Sequence, residues 1–165
     1  MTSATPPAVI RQCALIFKLN NEMVVRSFDG VTSGDCWRRP EGGGNPLGWL
    51  LGHVVVSRSQ LLRALGRPYD HQLGRQFDRG SMPVDPSTNP ARETLEAAWK
   101  ETRALMRDAF AALSDEEVMA AAPGRPRPGV QTVADLIAFS AFHESYHVGQ
   151  MGYVRRMLGL PGVAG

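Results

Sequence analysis

Apolar residues recur along this chain at intervals of three and four in four separate stretches, and no stretch alternates residue by residue as a strand would. The first stretch follows Pro6 and Pro7 and ends near Phe28, where Asp29 and Gly30 stop it. Its seam reads Val9, Cys13, Ile16, Asn20, Met23 and Ser27. The second opens at Asn45, an expected N-cap with Pro46 at the first helical position, and runs to Leu65, where Gly66 closes it. The third repeats the Asn-Pro start at 89 and 90 and lines up Leu95, Trp99, Thr102, Met106, Ala109 and Leu113. Ser114 with Glu117 forms a capping-box pair that opens a short turn before Pro123. The fourth stretch opens on Thr132 and Asp135 at the same spacing and runs to Leu158, before Gly159 and Pro161. The connections are rich in Gly and Pro, the longest over residues 66–88 and another in PGRPRPG. The pattern predicts one all-α domain over residues 1–165, a four-helix bundle.

Composition narrows the partners. The 165 residues are 43% hydrophobic, enough for a core without disulfides. Lys and Arg number 18 against 16 Asp and Glu, a net charge of +2 without a basic block, so a nucleic-acid footprint is not expected. No run approaches the length of a membrane span and no signal peptide is visible. The two cysteines, Cys13 and Cys36, make no disulfide framework; a core position is expected for Cys13 and a loop for Cys36, neither as a nucleophile. The expected setting is the cytoplasm, and the expected partner a small molecule.

The chemistry concentrates in the fourth stretch. Its seam steps through Leu136, Ser140, His143, His147, Gln150 and Val154, while the charged residues Glu144, Arg155 and Arg156 fall off it. Two histidines one turn apart on an inward stripe can reach one cation from a rigid backbone, and a cation gives buried imidazoles a partner. HESYH also fits the H-E-x-x-H pattern of zinc peptidases, with Glu144 as general base. Those enzymes take a third ligand downstream, and after His147 the chain has no His, Asp or Glu. A third ligand then comes from upstream, from His53 in the second helix or His71 in the 66–88 connection. A helix holds a ligand more accurately than a loop, which favours His53. Asn20, Ser57 and Thr102 either line the same cavity or bond to carbonyls as isolated polar core residues. Trp37, Trp49 and Trp99 are read as packing.

Two blocks, WLLGHVVVSRSQLL at 49–62 and TVADLIAFSAFHESYHVGQMGYVRRMLGLP at 132–161, resemble the DinB/YfiT-like superfamily of proposed metalloenzymes. There a histidine on the second helix joins an H-x-x-x-H pair on the last, followed by a G-Q and a basic pair. Here these fall on His53, His143 and His147, with Gly149, Gln150, Arg155 and Arg156. The resemblance implies a divalent-metal site, zinc or nickel, at one end of a bundle, often in a homodimer. It also implies enzymes that transfer or isomerise with low-molecular-weight thiols as cosubstrates. The open position of a three-histidine site favours an enzyme over a non-catalytic bundle that holds metal or a small ligand, and the resemblance implies a thiol S-transferase before a metal-dependent hydrolase. Glu144 is then either a proton carrier or a supporting carboxylate.

Overall fold

The structure is a computed structural model and describes residues 5–78, 80–81 and 86–163. Six α-helices form among them: α1 (Arg11–Phe28), α2 (Ser33–Trp37), α3 (Leu47–Ala64), α4 (Arg92–Ala112), α5 (Asp115–Met119) and α6 (Val133–Met157). The four long ones are the four expected stretches. No helix among the described residues is long and apolar enough to cross a membrane.

The helix ends follow local chemistry. Thr132 accepts from the Asp135 amide while the Asp135 carboxylate accepts from the Thr132 amide, a reciprocal cap that starts α6; Ser114 and Glu117 do the same for α5. Gly66 and Gly159, both at positive φ, close α3 and α6 as expected. The Asn-Pro starts are displaced. Pro46 is extended and α3 begins at Leu47, and α4 waits until Arg92, neither helix having a side-chain cap. The residue before a proline is biased to extended backbone, which holds Asn45 and Asn89 outside the helices. Helix α2 arises inside an expected loop because Thr32 and Asp35 make a third capping box. Its Cys36 is therefore buried rather than in a loop, and burial pushes the thiol up to about 11.

The α1 seam is wider than expected and the α6 seam is rotated by one residue. On α1, Asn20 and Ser27 of the expected seam are buried and Cys13 and Met23 half-buried, Val9 and Ile16 are exposed, and Ile10, Phe17, Val24 and Phe28 are buried beside it. On α6 the buried line is Ile137, Ala141, Glu144, Val148, Met151 and Arg155. The Ser140–His143–His147–Gln150 stripe beside it is half-buried. The α4 seam is as expected down to Ala109.

The core divides into two apolar clusters, and each long helix passes from one to the other. Val24, Leu50, Val54, Leu95, Trp99 and Met151 belong to the first. Phe17, Leu62, Met106, Phe110, Ile137 and Ala141 belong to the second. The residue order shows that α1 and α6 run one way and α3 and α4 the other. The α3–α4 connection must then travel back along the whole bundle, which accounts for its length. Helix α3 is central, packed on α4 and α6; α1 packs on α6 but barely meets α4, leaving a cleft between them.

Candidate metal centre

Between the two apolar clusters lies a polar belt. It holds Asn20 on α1, His53 and Arg58 on α3, Thr102 on α4, and His143, Glu144 and His147 on α6. The site therefore sits at mid-length of the bundle, which corrects the expectation of a site at one end.

His53, His143 and His147 converge, with one nitrogen of each within 4.8 Å of the others. The Nε2 of His143 is 3.4 Å from that of His53 and 3.2 Å from that of His147. Nitrogens about 2.0–2.1 Å from a tetrahedral ion lie about 3.3 Å apart, so these two edges match a shared cation. The outer nitrogens explain the orientation. His53 Nδ1 lies 2.6 Å from the Phe77 carbonyl, which only accepts, so that nitrogen carries the proton and Nε2 presents its lone pair. His147 Nδ1 donates to Gln150 Oε1 at 2.8 Å with the same result. One N–H on His143 could serve one of these lone pairs at a time, whereas a cation serves all three. Burial pushes the His147 pKa down to about 4, leaving it neutral and ready to ligate at ordinary pH. The donor set fits a divalent metal.

The 66–88 connection supports α3 from outside. As it runs back along the bundle, Gln76 O accepts from Trp49 Nε1 at 2.8 Å and Phe77 O engages His53. Trp49 in turn stacks on His53, centroids 4.9 Å apart. The fully buried Phe77 ring lies flat on the α3 backbone because residue 52 is glycine: a Cβ there would meet Phe77 Cδ1 and Cε1 at 2.4 Å.

Under the histidines, Glu144 is buried and fully engaged. Arg58 donates to Oε2 at 2.7 Å through Nε and to Oε1 at 2.8 Å through Nη2, and Asn20 Nδ2 adds a bond at 3.2 Å to Oε1. The sequence set Glu144 and Arg155 off the inward stripe; both are buried. Arg155 is used structurally, donating to the carbonyls of Ser27, Asp29 and Pro161. His71 stands apart in the connection, its Nδ1 accepting from the Leu73 amide. Thr102 bonds to the Trp99 carbonyl, Ser57 lines the cavity, and Asn20 serves Glu144. Arg58, Gln76 and Phe77 were not among the expected site residues.

The triad opens on a cavity of about 830 Å³ between α3, α6 and the PGRPRPG loop. Arg63, Arg125 and Arg127 stand on its walls, and the one carboxylate among its described lining residues, Glu144, is already paired with Arg58.

A conserved protein from Enterococcus faecalis, known from its crystal structure, shares the architecture with a TM-score of 0.72. It is 14% identical, and the match covers 91% of this chain and 97% of that one, which shows a common fold. A search among curated proteins finds no match. A sequence profile of the DinB superfamily matches residues 16–151, a span that holds all three histidines and most of the bundle. The chain belongs to the DinB superfamily.

Proposed function

We propose that His53, His143 and His147 hold one divalent cation, zinc or nickel, and that the protein is an enzyme acting on a small electrophile with a low-molecular-weight thiol as cosubstrate. The observation that carries this reading is the convergence of three imidazole nitrogens, two of their rings oriented by Phe77 O and Gln150. A cation bound there supplies Lewis acidity, lowering the pKa of a thiol or water that reaches it. The chain's own residues do the rest. Phe77 and Gln150 hold two imidazoles in the ligating tautomer, Trp49 limits rotation of His53, and the cavity walls orient the substrate. Arg63, Arg125 and Arg127 favour an anionic electrophile. Glu144 acts as a positioning carboxylate, since Arg58 and Asn20 occupy both its oxygens.

With a cellular thiol as cosubstrate, the proposed setting is the cytoplasm. A homodimer would cover the outer face of α1 and α6, where Leu19, Phe142 and Tyr153 are exposed by 49%, 69% and 67%.

The test is metal analysis of protein purified without a His tag, followed by turnover with electrophiles and a thiol panel, then with simple esters and amides. One equivalent of metal, lost in His147→Ala together with thiol-dependent turnover, is the expected result. Turnover without thiol makes the protein a hydrolase. Stoichiometric metal with no turnover makes it a binding bundle.

A further inference from the structure

The cleft between α1 and α4 is a second cavity, on the side of the bundle where those two helices barely meet. It has a volume of about 330 Å³, near the lower end of small-ligand sites. Among the described residues its walls carry four cations and no carboxylate: Lys18 from α1, Arg103 and Arg107 from α4, and Arg58 from α3. Phe17 and Phe110, tilted against each other with centroids 5.4 Å apart, make the apolar part.

Of these cations only Arg58 is committed to the fold, through its buried pair with Glu144. Arg107 pairs with Asp108 only at the exposed surface, where such a pair is worth little. Arg103 rests over the Trp99 ring. Arg58 is 2% exposed and spends Nε and Nη2 on Glu144 and Asn21, yet its Nη1 is buried without a hydrogen-bond partner among the described residues. Arg58 lines this cleft, and a buried guanidinium N–H left unpaired is costly.

We propose that the α1–α4 cleft binds an amphiphilic carboxylate, its anionic head among Lys18, Arg58, Arg103 and Arg107 and its apolar body against Phe17 and Phe110. This site is distinct from the histidine centre and does not depend on the metal reading, although Phe17 and Arg58 border both. A head without charge leaves the cations unpaired, and a small inorganic anion leaves the aromatic wall uncovered.

The experiment is a calorimetric titration of metal-free protein with octanoate and, as the uncharged control, octanol, with amide chemical shifts to locate each. Saturable octanoate binding at one site is expected, with octanol at least about tenfold weaker, the order of a lost charge-assisted contact. Shifts should centre on residues 14–21 and 103–110. The double variant Arg103→Gln/Arg107→Gln, altered at exposed positions that leave the core intact, should weaken octanoate about tenfold and leave octanol unchanged. His147→Ala should bind octanoate as the parent does. Equal binding of octanoate and octanol, loss of binding in His147→Ala, or shifts confined to the histidine cavity would each overturn the proposal.

Discussion

Replacing Gly52 with alanine separates the packing of α3 from the chemistry it carries. An alanine Cβ would lie 2.4 Å from two Phe77 ring carbons and 2.8 Å from a third, well inside the ~3.5–4.0 Å of carbon contact. The ring cannot swing clear, being fully buried with Trp37 beside it at 6.4 Å between centroids. Overpacking of this kind costs ~1–3 kcal/mol, and the helix gains back ~1 kcal/mol from losing an interior glycine. The net loss is therefore about 0–2 kcal/mol if the ring stays, or less if the connection moves outward. Outward movement takes the Phe77 carbonyl from His53, and loss of such a support weakens metal binding about 10- to 100-fold. Urea unfolding of the metal-free protein and a chelator-competition titration measure the two terms. Gly149→Ala is the control, with nothing within 4 Å of its Cβ, and should stabilise by up to ~1 kcal/mol. The reasoning fails if Gly52→Ala matches the parent in both urea midpoint and metal affinity.

Replacing His71 with alanine should leave metal content by elemental analysis unchanged, whereas His53→Ala should lower it; the reverse result would move the third ligand into the connection. Arg58→Met strands Glu144 in the core and should cost ~3–5 kcal/mol in urea unfolding, most of it recovered in Arg58→Met/Glu144→Leu, because the unpaired charge is the penalty. A single variant as stable as the double would refute that account. Cys36, raised to about 11, keeps its proton above the pH at which the unfolded chain loses it. Its contribution is complete below about pH 8.5 and is lost as pH rises towards 11, and Cys36→Ala should flatten that alkaline decline in denaturation midpoints. Leu19→Glu/Phe142→Glu should shift sedimentation to the monomer; parent protein that already sediments as a monomer would remove the dimer.

The four helices and the histidine pair were legible because each is written in local spacing. His53 was readable as the third candidate because only His71 competed with it, from a connection and not from a helix. The exposure of Val9 and Ile16 on the α1 seam was not, because Leu15, Ile16, Leu19 and Val25 put apolar residues on faces that the fold leaves exposed. Periodicity gives the interval and not which of two apolar lines turns inward. The Arg58–Glu144 pair was hidden by 86 residues of separation. Phe77 acts through a carbonyl, a group that every residue carries, so nothing in its side chain advertises the role. Only the route of the connection back along the bundle brings it to His53. The Thr32–Asp35 box, by contrast, stood in the sequence and marks a helix in a segment that Gly and Pro make look irregular.

The polar belt gives the molecule two small oily bodies on a shared set of four struts. Each long helix is anchored in both, so amides in α1 and α6 on either side of the belt report on separate local openings. A cation held by α3 and α6 at the belt would tie these openings together, and it favours only the closed form. Native-state hydrogen exchange is then expected to show two protection levels in metal-free protein and one merged, slower level with metal added. Chelation would act as a clutch, releasing one half of the bundle to breathe while the other stays shut.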